Sequence, residues 1–337
     1  MKKASNYPID AVITWVDGSD PKWQKSKAKY AKKYLSPEST NAARFRDWDN
    51  LDLVVQSIKQ NLPWIRQIFI VTAGQTPKWY DGKDSKVKLV FHQDFIPKKY
   101  LPTFNANTIE LNLHRIQSLA EHFISFNDDM FVINPMRPTD FFKNGLPCDF
   151  GLLHIHCQKQ SLMIYDICNN NVSLINEHFD IKNIKKSHYL NPRYGFKNNL
   201  KNLFLLECPR FPGFFNIHLP QPLLKSTCQA VWQTAPDTLD QTCQHKFRTK
   251  DDVNHWVIKD WQICTGNFVP ISPKNRGALI DFEKNSPKTE LAKAVKIIRG
   301  HRAKLLCVND GDTIQDYQTI KQTINTALRQ KLTKKER

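Results

Sequence analysis

Asn127-Asp128-Asp129 stands between two apolar runs, Phe123-Ile-Ser-Phe126 before it and Met130-Phe131 after it. A continuous apolar run of that length suits a strand covered on both faces. The two carboxylates then fall at the strand's carboxyl end, where open α/β sheets bind their ligands. Adjacent acids repel unless a shared proton or a cation relieves them. A hard cation with oxygen ligands, arriving with a diphosphate, does this economically. The plainer alternative is a solvated turn, because Asn and Asp favour turns. The theme recurs twice: Ile9 to Val16 runs into Asp17-Gly18-Ser19-Asp20-Pro21, and Lys304 to Val308 runs into Asn309-Asp310-Gly311-Asp312. Basic groups supply the complement. Arg44 lies in the charged knot Arg44-Phe-Arg46-Asp47-Trp-Asp49, and Arg248 precedes a helix start at Asp251. A guanidinium grips phosphate in a forked geometry, and helix-start amides add to it; simple ion pairing is the alternative for both. Glu110 reads either as the partner of Asn107 in a capping pair or as a polar group facing the same crevice. His218 ends the apolar segment that begins at Phe214, as a core histidine or as a proton acceptor near neutral pH.

The elements that must position these groups follow from periodicity. Strands are expected at Ile9–Val16, Gln67–Thr72, Val87–Phe91, Phe123–Phe126, Phe150–Ile155 and Lys304–Val308. Asp49 is expected to cap a helix with apolar residues at 51, 54, 55, 58 and 62, which Pro63 halts. Apolar positions 109, 113, 116, 120 and 123 predict a helix running up to the Asn-Asp-Asp strand. Leu223, Leu224, Cys228, Val231 and Trp232 predict another, and Asp251 is expected to cap a third with apolar residues at 253, 256, 257, 261 and 264. Pro21 to Ser39 reads as a solvated helix or a mobile loop. Strand, helix, strand makes a right-handed βαβ unit, so the fold class is α/β with a mostly parallel sheet flanked by helices. The organisation expected is one catalytic domain over 1–337. It comprises an N-terminal α/β half at 1–135, a helical insertion at 158–210, a second half at 211–312 that completes the site, and a basic amphipathic helix at 313–337. The last of these docks on its own domain or lies on an anionic membrane.

The 337 residues are 40% hydrophobic, enough for a sizeable core. With 49 basic and 32 acidic side chains the net charge is +17, which favours anionic partners. No apolar run reaches the ~18 residues of a spanning helix. The start has a basic tip without an apolar stretch behind it, so no secretion signal is expected. The eight scattered cysteines then read as reduced thiols of a cytoplasmic protein. His154-x-His156-Cys157 lacks a second ligand pair at zinc spacing and reads as two histidines on one strand face. No P-loop, G-x-G-x-x-G, HExxH or G-x-S-x-G is present. The aromatics sit in core segments and no DNA- or RNA-binding motif appears, so no nucleic acid partner is expected.

Several stretches together resemble one family. Ile9-Asp-Ala-Val-Ile-Thr-Trp-Val-Asp-Gly-Ser-Asp-Pro21 resembles the first block of the Stealth family of sugar-1-phosphate transferases. Arg44-Phe-Arg-Asp-Trp-Asp-Asn-Leu, Pro63 to Gln75, Leu101-Pro-Thr-Phe-Asn105 and Phe126-Asn-Asp-Asp129 are similar to its long second block. His218-Leu-Pro220 with Arg248 is similar to the third, and Leu306-Cys-Val-Asn-Asp310 to the fourth. The resemblance implies a Rossmann-like, glycosyltransferase-A-like core, a UDP-sugar donor, a divalent metal (Mg²⁺ or Mn²⁺), and transfer of sugar-1-phosphate to a glycan or lipid-linked glycan hydroxyl with release of UMP. It implies capsule or surface-polysaccharide synthesis, in the cytoplasm or at the inner face of the membrane. Carried over, His218, Asp129, Arg248 and Asp17 are expected to be catalytic. Asp128, Asp129 and Asp310 would hold metal, and Arg44, Asp47, Asn105, Glu110, Asn127 and Asn309 would bind substrate. Trp48 departs from the Asn usual after Arg-x-x-Asp, and Gln221 stands where a second His follows the His-x-Pro step. The rival within the same chemistry is a metal-dependent glycosyltransferase that releases UDP.

Overall fold

The computed structural model describes residues 7–31, 42–156, 162–274, 276–282, 286–311, 314 and 316–333. Along the chain come β1 (Ile9–Thr14), α1 (Pro21–Ala31), α2 (Leu51–Asn61), β2 (Ile68–Thr72), β3 (Val87–Phe91), α3 (Ala106–Asn112), β4 (His122–Asn127), β5 (Met130–Val132), β6 (Phe142–Lys143) and β7 (Leu146–Asp149). Then follow α4 (Met163–His178), α5 (Phe196–Leu205), β8 (Gln221–Leu224), α6 (Lys225–Thr234), α7 (Pro236–Gln244), α8 (Trp256–Cys264), β9 (Val269–Pro270), β10 (Gly277–Asp281), α9 (Pro287–Arg299), β11 (Leu305–Asn309) and α10 (Tyr317–Thr333).

The main sheet has the order β3-β2-β1-β4-β8. Its first four strands pair in parallel and β8 closes the edge antiparallel to β4. Reading 3-2-1-4, the parallel part has the strand order of a Rossmann-like half, with its switch between β1 and β4. Strand alternation sorts the core. Ile9, Ala11, Ile13, Ile68, Ile70, Ile124 and Phe126 face one apolar layer; Val12, Phe69, Val71 and Phe123 face the other. The first layer holds α2, α9, α10 and the small sheet β10-β11-β5; the second holds α4, α6, α7 and α8. With both faces covered, the central strands β1, β2 and β4 are buried almost throughout and are largely apolar, whereas the edge strand β3 exposes Lys88.

Several boundaries differ from the sequence expectation. Asp49 does not cap α2: it sits at φ +49° with its carboxylate on Lys321, and Asn50 occupies the cap position. The helix expected to run on from residue 107 stops at Asn112 and passes through a tight turn at Leu113–Arg115, because the chain must reverse into β4. Leu223 and Leu224 belong to β8, whose register Ser125↔Gln221 fixes them against β4; the helix begins only at Lys225. The strand expected over Phe150–Ile155 lies earlier, at β7, leaving a single bridge between Leu153 and Phe214. Residues 154–156 are therefore not in a strand; the His154 and His156 rings still meet, with centroids 5.4 Å apart, and Cys157 lies outside the described residues. Pro21–Ala31 is helical, and the rest of the stretch to Ser39 lies outside the described residues. In α10, Ile320, Ile324, Leu328 and Leu332 are buried in the first apolar layer, so its apolar face is covered by its own domain.

Candidate active site

Three pieces of chain meet at the carboxyl end of β4. The parallel register Thr14↔Asn127 brings the loop after β1, with Asp17, beside the Asp128-Asp129 turn. Antiparallel pairing of β8 makes the residues before Gln221, His218 among them, overhang the same end. From the other side β11 pairs with β5, and the Val308 amide donates to the Asp129 carbonyl at 2.9 Å. Asp129 therefore sits on the seam between the two sheets.

The Asp129 carboxylate is unevenly served. Oδ2 accepts from the Cys307 thiol at 3.2 Å and lies 3.7 Å from His218 Nε2. Oδ1 is buried and has no hydrogen-bond partner among the described residues. One ligand atom each from Asp129, His218 and Cys307 lie within 4.8 Å of one another. Several acidic groups crowd this corner. Desolvation, then the charges of Asp129 and Asp47, push the Asp128 carboxyl well above its usual range. Burial raises Asp47 too; the Asp49 amide and the Trp15 indole oppose it, and the charges of Asp49 and Asp17 add to it. Burial and Asp129 push the Cys307 thiol far up, so it stays protonated and donates. Burial works against a proton on His218, yet the adjacent Asp129 outweighs it and the net shift is upward. A buried carboxylate oxygen with nothing to accept, among acids that resist ionising together, fits a divalent cation held by Asp129 and its neighbours.

Facing this acidic corner is a basic one. Glu110, on α3, is buried and accepts from His255 Nδ1 at 2.6 Å. Burial alone would raise its carboxyl; His255, then Arg248 and His218, overturn that and hold it below the ordinary value. Glu110 thus does not cap α3; Asn105 does, accepting from the Asn107 amide. The Asn105 amide NH₂ donates to Asp252, as does that of Asn107. Asp252 in turn accepts from the Thr249 amide, the Thr249 hydroxyl and His245. This knot, with Asp252, Asn105 and Asn107 buried and His245 and Thr249 half-buried, fixes the loop that carries Arg248, and the Asn105 amide, expected to touch substrate, is engaged with Asp252. Nor does Asp251 cap α8, whose cap position is His255.

The remaining sequence candidates are held in separate local networks. Asp17 accepts from the amide and hydroxyl of Ser19, and its loop is locked by Gly18, where a Cβ would fall 1.9 Å from the Phe45 carbonyl oxygen. That contact ties the Asp17 loop to the Arg44–Asp49 knot. Asp47 accepts from the Trp15 indole at 3.2 Å. Arg44 is exposed at the end of a short 3-10 turn. Asn127 is half-buried at the end of β4. Asn309 donates to Asp281 at 3.3 Å. Asp310 is not in the Asp129 cluster: its oxygens accept from Arg46 Nε at 2.8 Å, Arg46 Nη2, the Trp48 indole and the Gly311 amide. The two departures from the family pattern are both put to use. Trp48 helps hold Asp310, and Gln221 donates to the buried Asp149. Cys307 and His255 are each a lone residue in the sequence, with no spacing signal to mark them as parts of the site.

A Rossmann-like sheet with acids, a histidine and an arginine at its switch end defines an α/β enzyme that handles anionic substrates. Models of Stealth protein conserved regions 1 and 2 match residues 7–35 and 44–148. The chain is 34% identical to the capsular polysaccharide phosphotransferase WcwK of Streptococcus pneumoniae, over 97% of this chain and 96% of that protein. It is 36% identical to the receptor polysaccharide phosphotransferase WefC of Streptococcus oralis (93% of each) and 33% identical to the exopolysaccharide phosphotransferase cps2G of Lactiplantibacillus plantarum, over 99% of this chain and 97% of that protein. The chain belongs to the Stealth family and is an enzyme of the phosphotransferase class. Among solved structures, the galactosyltransferase LgtC with donor and acceptor sugar analogues aligns over 94% of this chain and 95% of its own, at 10% identity and a TM-score of 0.36.

Proposed function

We propose that this enzyme transfers a hexose or N-acetylhexosamine 1-phosphate from a UDP-sugar to a hydroxyl of a glycan acceptor, releasing UMP, in capsular or cell-surface polysaccharide synthesis. The observation that carries the reading is the Asp129 carboxylate, with one buried oxygen unserved and the other shared with His218 and Cys307. It is set opposite an arginine whose charge reaches both Glu110 and His218. His218 takes the acceptor hydroxyl proton while that oxygen attacks the phosphorus bonded to the sugar. The bridging P–O bond breaks, and UMP departs with its electrons. Arg248 steadies the non-bridging oxygens; Glu110, kept ionised, holds His255 and orients the basic side. Asp129, with Asp128, would hold Mg²⁺ or Mn²⁺, which when bound supplies charge neutralisation to the diphosphate. Asp17 and Asp47 complete the acidic wall, and Asp310 positions it through Arg46.

The test is to incubate the full chain with a panel of UDP-sugars, a divalent cation and a capsular-type glycan, then identify the nucleotide. UMP with a new phosphodiester is expected; UDP would replace the reading with glycosyl transfer. His218→Ala is expected to lower turnover ~10²–10⁴-fold, the usual contribution of a positioned base, with the melting temperature kept.

A further inference from the structure

We infer that the outer face of α5 is a docking surface for an anionic phospholipid leaflet. Phe196, Leu200, Leu203 and Phe204 are 81, 42, 49 and 69% exposed, and their spacing of four, three and one residues lays them along one helical stripe. The opposite side of the same helix is buried through Asn202 and Leu205. Asn202 pins the helix to the body: its side chain accepts from the Leu153 amide and donates to the Gly151 and Tyr189 carbonyls. The apolar stripe is thus held outward on a rigid support, with no freedom to turn in.

The occupant follows from charge. Residues 181–206 carry five lysines and one arginine and no acidic side chain. Lys182, Lys185, Lys186, Arg193, Lys197 and Lys201 are all exposed. Lys197 and Lys201 flank the stripe on the same helix and Lys182 donates to the Leu206 carbonyl at its end; such an apolar face edged by cations matches a bilayer surface, which offers acyl chains beneath anionic headgroups. A second copy of the chain fits worse. Isologous pairing would set these cations against one another, and a single helix face falls short of the ~800 Å² per partner of a stable interface. The patch also leads towards the catalytic corner. Lys201 on α5 meets His154 at 2.7 Å, and the His154 ring lies 6.1 Å from that of Phe215, itself exposed, three residues before His218. The docking rests on this surface alone. Its use, presenting a lipid-linked acceptor to His218, rests on the proposed function.

The experiment is co-sedimentation of the full chain with vesicles of phosphatidylcholine alone or mixed with phosphatidylglycerol, without donor or acceptor, so its outcome is separate from that of the activity test. Binding to the mixed vesicles that weakens with salt is expected. The triple substitution Phe196→Ser, Leu203→Ser, Phe204→Ser is expected to reduce it at least ~10-fold, since three large apolar side chains lose their burial. Its circular dichroism and melting should match the parent, because all three side chains are exposed. Wild-type protein that ignores anionic vesicles, a triple variant that binds as well, or a wild-type dimer that the triple variant dissolves into monomers would each overturn the proposal.

Discussion

Asp252 and Asp129 are both carboxylates set into the body of the enzyme, and they are treated in opposite ways. Asp252 is fully buried and accepts from five donors on two segments, so each oxygen is satisfied and the loop bearing Arg248 is fixed. Asp129 has one oxygen on a thiol and a more distant imidazole and the other on nothing among the described residues. Burial of a polar atom without a partner costs free energy that a fold normally avoids. The first acid is therefore architecture. The second has an oxygen that no described donor serves, and the difference separates the part of the site fixed by its own hydrogen bonds from the part suited to bind a ligand.

Two substitutions put the contrast under the greatest load. Asp252→Asn places an NH₂ group where donors converge and removes the partner of His245. It is expected to cost ~3–5 kcal/mol, as breaking a buried pair does, and to abolish activity through loss of fold. Urea melts read it, and an unchanged midpoint would mean the knot is dispensable. Asp129→Asn should do the reverse. Turnover is expected to fall on the order of 10³-fold, from the several kcal/mol of charge stabilisation a metal site supplies. Stability should hold or rise, since the repulsion with Asp128 and Asp47 is relieved. Millimolar Mn²⁺ should raise the melting temperature of the parent and leave that of Asp129→Asn unmoved; equal shifts in both would place the cation elsewhere. Glu110→Gln lies between the two. It keeps the hydrogen bond to His255 but removes a buried charge facing Arg248 and His218, with an expected ~10-fold loss in kcat and a smaller change in melting. A variant that unfolds with no separate kinetic defect would move Glu110 to the architectural side.

How far this contrast is legible in the sequence depends on the reach of each interaction. β1, β2, β4 and β11 announce themselves because a strand covered on both faces is largely apolar, and the acids that follow β1, β4 and β11 stand out against that background. β8 hides, since Leu223 and Leu224 share helical spacing with Cys228 and Val231 of α6 and the strand is only four residues long. Asp251 and Asp252 are neighbours of one type, and nothing local says which is exposed and which is the hub. Asn105 looks like a ligand-binding loop residue because its true partner lies 147 positions away; His255 meets Glu110 across 145, and Cys307 meets Asp129 across 178. Periodicity describes a face, whereas these partnerships are set by how distant segments cross.

The smallest effect asks whether the architectural acid works by charge as well as by geometry. His245 sits on Asp252 at 2.7 Å, and that hydrogen bond, opposed in part by burial, raises the imidazole pKa above its ordinary 6.5. A group whose folded pKa is raised gives stability that is complete below the unfolded value and is lost as pH rises through the folded value. The gap in unfolding free energy between the parent and His245→Gln should therefore be widest at about pH 6 and shrink towards about pH 8. The half-buried ring keeps that gap modest. A gap that stays constant across the window would mean the clamp is held by its neutral donors alone, with Asp252 serving as an acceptor whose partner's charge is irrelevant. A gap that closes would make the knot around Arg248 a charge-assisted one, tightening as the solution acidifies.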